Sequence, residues 1–274
     1  MKPLPVALAT GAPLLAAVAA WSPLWLAAAT IGSALLLAVA PPPRRLYAVT
    51  AISSGLILFL INPFVSVQGL TVLWQGPHIP ILDTQITAEE LAYGAGAGMR
   101  IAASALAVAA FVRLADADLL LRAVARVAPK SAMIAALSTR MLPALERDAA
   151  GIVIAARTRA ARLSTPRAAA GMLGPLLATS LERSLSVAEA MEARGYGGPV
   201  RTRAPERRTT RREWAVGVTG AAAVALVTAG LVSGATAFRY YDTLGNPMHP
   251  AAIAGSTALV VLTAATAGMV RWLR

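Results

Sequence analysis

The sequence predicts an all-α, polytopic membrane protein with about six transmembrane helices, and three observations carry that prediction. Of 274 residues, 57% are apolar and only 14% charged, whereas a soluble domain carries nearer a quarter charged residues. Six apolar stretches each approach the roughly 20 residues that cross a ~30 Å hydrocarbon core at 1.5 Å per residue. The lysines and arginines between those stretches fit a single topology. Mean hydropathy is +0.63.

The stretches run from Pro3 to Ala20, Pro23 to Ala40, Leu46 to Val67, Ala92 to Val112, Trp214 to Phe238 and Ala251 to Leu273. The first two are short and are interrupted by Gly11, Pro13 and the Trp21-Ser22-Pro23 break, so a hairpin of two short or tilted helices is expected. A cleaved signal peptide, with Lys2 at its charged start and Ala27-Ala28-Ala29 as its small-residue site, is the alternative. The apolar run continues past that site to Arg44-Arg45, which favours the hairpin.

Orientation follows from the basic residues. Arg44 and Arg45 place the second connection in the cytoplasm. No Lys or Arg occurs from Leu46 to Met99, and the connection from Gln68 to Glu90, with Asp83, Glu89 and Glu90, reads as external. The fourth span returns at Arg113. Between Leu114 and Glu213 lie 17 of the 25 basic and 9 of the 13 acidic residues, which marks a long cytoplasmic segment. The last two spans go out to a short loop with Arg239 and Asp242 and return to Arg271-Trp272-Leu273-Arg274, so both termini are expected inside. Three parts follow: residues 1–113 with about four spans, 114–213 as the cytoplasmic segment, and 214–274 with about two spans.

The net charge of +12 is therefore a topology marker and not a nucleic-acid signal, because a DNA-binding domain spreads arginines over a soluble surface without 20-residue apolar runs. The absence of cysteine excludes disulfides, iron–sulfur clusters and thiolate zinc sites. His78 and His249 fall in short Pro-containing loops, where solvated residues are commoner than ligands; no metal site and no cofactor are expected. Gly94, Gly96 and Gly98, with Ala102 and Ala103 one turn on, read as a close-packing helix face. No strand precedes them and no Gly-Lys-Ser/Thr follows, so they are not a nucleotide loop. Arg100 in the same span is costly against lipid, and is expected to snorkel outward or face the protein interior.

The cytoplasmic segment is helical by composition and divides at Pro129 and near Pro166. Asp116 to Ala128 sets Leu120, Val124 and Val127 against Arg122 and Arg126, an amphipathic helix too short to span. Ser131 to about Leu163 is expected to be interrupted at Pro143. Arg167 to Arg194 has Leu173, Leu177, Leu181, Leu185 and Ala188 as its apolar side, and stops at Gly195, with Gly197, Gly198 and Pro199 behind it.

Two of these helices end in an arginine flanked by small residues, Thr158-Arg159-Ala160 and Ala193-Arg194-Gly195. A guanidinium at a helix end beside alanine and glycine can enter a groove on another protein and make bidentate bonds to carboxylates or carbonyls. The competing reading is that such arginines hold anionic lipid or balance the helix dipole. That reading suits most of the basic residues, including the juxtamembrane cluster Arg201, Arg203, Arg207, Arg208, Arg211 and Arg212.

At these residues the chain resembles the transmembrane T component of energy-coupling factor (ECF) transporters, the membrane scaffold of modular vitamin and metal-ion importers. Ala188-Glu189-Ala190-Met191-Glu192-Ala193-Arg194-Gly195-Tyr196 is similar to the family's second Ala-Arg-Gly motif. Arg140-Met141-Leu142-Pro143, Glu146 and Ala155-Ala156-Arg157-Thr158-Arg159-Ala160 resemble the approach to the first. That first motif departs from the pattern at Thr158 and Ala160, and a register centred on Arg157 competes with the preferred Arg159. The resemblance covers most of Met99 to Arg203 in detail and the other spans in layout.

The resemblance implies that each arginine docks into one of two cytoplasmic ATPases and that the helices pass ATP-driven motion to a substrate-binding S component. A bacterial cytoplasmic membrane is implied with it. The chain has no Walker A motif, no His-Glu-x-x-His and no Gly-x-Ser-x-Gly, so no enzymatic activity is expected of it. The rivals are an intramembrane enzyme, which would need polar catalytic groups in the spans, and a stand-alone permease, which would need paired charges or repeated broken helices. The solute stays open, since in this family the S component selects it.

Overall fold

The computed structural model describes residues 1–65, 70–75, 85–158, 170–196, 209–241 and 249–273. It divides into two compact units, Met1–Leu120 with Arg208–Arg274, and Leu121–Arg207. Among the described residues, four helices are long and apolar enough to cross a membrane by length and composition, and two shorter apolar helices precede them.

In the first unit, Pro3 and Pro23 open α1 (Pro3–Ala19) and α2 (Pro23–Val39) at the first helical turn, where a missing N–H costs nothing. At 17 residues each they are about 25 Å long, short of the ~30 Å core. Their junction is satisfied from within the protein. The N–H groups of Trp21 and Ser22 donate to the Thr236 carbonyl at 2.9 and 2.8 Å, the Tyr240 hydroxyl donates to the Trp21 carbonyl at 2.8 Å, and Arg100 Nη2 donates to the Ala20 carbonyl at 2.8 Å. Backbone that ends at membrane depth requires such partners.

Arg100 thus faces the interior, with its guanidinium 4.7 Å from the centroid of the Trp21 ring. Burial pushes the Tyr240 phenol up to about 12, partly offset by the charge of Arg100, so the hydroxyl remains a neutral donor. Tyr240 also packs edge-on to Tyr93 and Phe238.

The third stretch forms α3 (Arg44–Val65), followed by a short antiparallel pair, β1 (Val72–Gln75) and β2 (Gln85–Thr87). This pair was not expected in an otherwise all-α chain. It leads directly into α4 (Ala88–Leu114). Helix α4 starts four residues before the expected Ala92 because Thr87 and Glu90 form a capping box, in which Glu90 N–H donates to Thr87 Oγ1 at 3.3 Å and Thr87 N–H to Glu90 Oε2 at 3.4 Å. Glu89 is tied beside it, accepting from Thr71 Oγ1 at 2.7 Å. The same device at Thr210 and Glu213 opens α8 (Arg211–Val232). That helix ends at Val232, short of the expected Phe238, because the chain turns at Gly234 with φ +77. The last helix, α9 (Pro250–Trp272), matches the sixth stretch closely.

Helix α4 is central: α3, α2 and α1 all pack on it, α8 packs on α1, and α9 packs on α2 and α8. The glycine face predicted for α4 does pack closely. A Cβ at Gly98 would lie 2.6 Å from the Gly55 carbonyl oxygen, and one at Gly94 would lie 3.2 Å from Asn62 Cβ. Around these crossings Val6, Leu36, Leu106, Val216 and Val270 form one buried cluster, and Trp25, Val227 and Leu259 with many alanines form another. The outer flank of α3 stays uncovered at Leu46, Val49, Ile52 and Leu56, as a lipid-facing helix requires.

Helix α5 (Ala117–Val124) lies at the division between the units; it is shorter than the expected Asp116 to Ala128 and leaves Val127 beyond its end. The second unit contains α6 (Pro129–Thr158) and α7 (Leu173–Ala193). Contrary to expectation, α6 runs unbroken through Pro143. A proline removes one internal hydrogen bond and need only kink an exposed helix whose freed carbonyl can meet water. Arg147 Nε donates to the Pro143 carbonyl at 3.0 Å and braces that turn.

Candidate docking site

The C-terminal end of α7 is built by a left-handed residue. Gly195 has φ +73, a conformation that costs a side-chain-bearing residue about 1–2 kcal/mol. Its N–H donates to the Glu192 carbonyl at 2.8 Å, and that of Tyr196 to the Met191 carbonyl at 2.9 Å. These are the two bonds of a Schellman motif, and they satisfy carbonyls that the helix end would otherwise leave open. Arg194 is the C-cap residue between Ala193 and Gly195. All three are exposed. The sequence-predicted arginine thus stands on a rigid terminus with small neighbours on both sides.

Tyr196 folds back along α7 and borders a cavity of about 440 Å³ between α7 and the first half of α6. Met133 and Leu137 of α6 face Val187, Met191 and Glu192 of α7 across it. Farther along, Arg183 Nη2 bonds Asp148 Oδ2 at 2.7 Å. Together these contacts make α6 and α7 an antiparallel pair. Among the charged residues of α7, the tertiary pairing singles out Arg183 as the link to α6.

The other predicted residues lie elsewhere. Arg157 is exposed in the last turn of α6, and the Thr158 hydroxyl closes that helix by donating to the Ala155 carbonyl at 2.8 Å. Arg159 and Ala160 lie outside the described residues. Counting from the Asp148–Arg183 link at 1.5 Å per residue, Arg157 and Arg194 are on the order of 30 Å apart, at opposite ends of the pair. They do not converge on one centre; the arrangement presents two separate cationic tips.

Of the apolar side predicted for α7, Ala188 borders the cavity with α6 but the four leucines do not face that helix. Ser180, Arg183, Val187 and Met191 line the pairing side, while Leu173, Leu177, Leu181 and Leu185 are 56–63% exposed within the unit. An i, i+4 leucine stripe left open over three turns is a surface in want of cover. Among the described residues, no group of three or more His, Cys, Asp or Glu side chains could hold a metal ion.

No curated protein matches the chain. A family model described as CbiQ, cobalt transport protein, matches residues 5–205, a span that runs from the first turn of α1 to beyond α7. The exposed apolar flank of α3, the helices long enough to cross a membrane and this match over most of the chain agree: the protein is a membrane protein of the CbiQ family of cobalt transport proteins.

Proposed function

We propose that the protein is the transmembrane T component of an ECF-type importer, which couples ATP hydrolysis on two cytoplasmic ATPases to uptake through a substrate-binding S component. The observation that carries this reading is the end of α7, where a Schellman turn fixes Arg194 as an exposed C-cap between Ala193 and Gly195. A guanidinium held this way can enter a partner groove with little loss of conformational freedom. Two cationic tips at opposite ends of one helix pair fit two copies of an ATPase. Arg194, Ala193 and Gly195 form one docking point; the other is Arg159 with Thr158 and Ala160, or Arg157 in the alternative register.

The uncovered leucine stripe of α7 supports the second half of the reading, since it offers an apolar face to a membrane-embedded partner. In the proposed topology residues 114–213 lie on the cytoplasmic side of a bacterial inner membrane with both termini, and residues 1–113 and 214–274 supply the membrane scaffold. The solute belongs to the micronutrient class, with cobalt first among candidates by family.

The test is co-purification of the chain with its ATPases and measurement of solute uptake. Arg194→Ala removes one side of a buried charged contact, for which losses of about 2–5 kcal/mol are usual. Reduced ATPase recovery and uptake are expected with normal membrane insertion. Arg159→Ala compared with Arg157→Ala assigns the first docking point. Full ATPase recovery and full uptake in Arg194→Ala would remove the docking role.

A further inference from the structure

At the end of the membrane unit where α3 begins and α9 finishes, α2 and α9 border an open slot. They meet closely at Gly32, where an added Cβ would lie 2.8 Å from Thr263 Oγ1. Beyond that crossing they remain packed through Leu36, Leu37, Ala267 and Val270, and the slot they border has a volume of about 590 Å³, within the size range of small-molecule sites. Its walls are apolar and small, with Leu35 and Val39 on α2 and Ala264 and Gly268 on α9. A Cβ at Gly268 would meet nothing within 4 Å. The mouth carries Arg44 and Arg271, and among the described residues no acidic side chain lines the slot.

Arg44 Nη1 donates to the Ala38 carbonyl at 2.7 Å, which holds its guanidinium at the mouth. Arg271 comes from the last turn of α9, beside the exposed Trp272, a residue type that favours the headgroup level of a bilayer. The slot therefore joins an apolar cleft to two cations at its mouth, Arg44, which is tied to the Ala38 carbonyl, and the exposed Arg271.

We propose that this slot binds one anionic phospholipid, with its phosphate between Arg44 and Arg271 and the upper part of one acyl chain along Leu35, Val39 and Gly268. The arginine fork matches phosphate oxygens, and basic clefts between membrane helices hold such headgroups. The site is separate from the ATPase-docking reading and does not depend on it.

Native mass spectrometry of the full chain in detergent, titrated with phosphatidylglycerol or phosphatidylcholine, tests the proposal. One phosphatidylglycerol is expected to bind in preference to phosphatidylcholine. Arg44→Gln with Arg271→Gln should weaken it roughly 25-fold, at about fivefold per arginine. Arg45→Gln with Arg239→Gln, an equal charge loss at exposed positions outside the slot, should leave it within about twofold. Gly268→Leu fills the slot without touching either charge and should weaken binding at least tenfold, which covers the case in which the arginine pair is also needed for folding. Equal losses in the two arginine pairs, equal binding of phosphatidylcholine, displacement by glycerol phosphate alone, or unaltered binding in Gly268→Leu would each overturn it.

Discussion

The crossing of α3 and α4 at Gly55 and Gly98 is the place where one methyl group should matter most. A Cβ at Gly98 would stand 2.6 Å from the Gly55 carbonyl oxygen and 3.3 Å from Phe59 Cβ, and a Cβ at Gly55 would stand 2.6 Å from the Gly98 carbonyl oxygen. Ordinary contact begins at 3.4 Å, so 3.4 minus 2.6 leaves a shortfall of 0.8 Å. The obstacle is backbone, which cannot rotate aside. Helix α4 is also held by α1 and α2, so it cannot back away without loosening contacts on its other sides.

Overpacking of this kind costs about 1–3 kcal/mol, set against a helix-propensity gain of up to about 1 kcal/mol for Gly→Ala. Gly11→Ala in α1 isolates that gain, since a Cβ there meets nothing within 4 Å. Gly98→Ala should therefore unfold about 1–3 kcal/mol more readily than Gly11→Ala in reversible mixed-micelle denaturation followed by circular dichroism. Because one separation of the helices relieves both clashes, Gly55→Ala with Gly98→Ala should cost less than the sum of the singles by more than ~0.5 kcal/mol. Equal stability of Gly98→Ala and Gly11→Ala, or simple additivity, would refute the close-crossing argument.

Other perturbations follow from the same geometry. Arg100→Leu removes the charged donor to the Ala20 carbonyl and should cost about 1.5–3 kcal/mol, read in the same assay; an unchanged midpoint would mean that the α1–α2 junction does not need this bond. Gly195→Ala places a side chain in the left-handed region and should destabilise the last turn of α7 by about 1–2 kcal/mol, seen as faster amide exchange at Gly195 and Tyr196 than in the parent. Arg183→Ala breaks the pair with Asp148, whose side chains are 40% and 25% exposed, so solvent screening holds the loss to about 1 kcal/mol or less. Its effect on α7 exchange should shrink as salt is raised.

Several of these features were open to reading in the sequence. The Thr-x-x-Glu signatures at Thr87 to Glu90 and Thr210 to Glu213 place the starts of α4 and α8 three to four residues earlier than hydropathy alone does, because a capping box is a local, chemical signal and hydropathy is an average. The glycines of α4 were legible as a packing face, but their partner Gly55 was not, since nothing local pairs residues 43 positions apart. Gly195 and its flanking arginine were legible for the same reason as the capping boxes: the Schellman turn is local. Continuity of α6 through Pro143 was misread, because a proline lowers helix stability without deciding whether neighbouring turns hold.

By itself the sequence determined what local chemistry and hydropathy can determine: the membrane class, the six apolar helices, most of their ends, and the Ala193-Arg194-Gly195 terminus. Tertiary structure alone decided the rest. It showed how two helices of 17 residues can stop short of the bilayer thickness, because the polar groups at their junction find Thr236, Tyr240 and Arg100 instead of water. It turned the leucines of α7 away from α6, and it brought Arg44 and Arg271 to one slot between α2 and α9. These outcomes depend on which distant surfaces meet, and a one-dimensional pattern carries hydrophobicity and turn chemistry but not the partner across the gap.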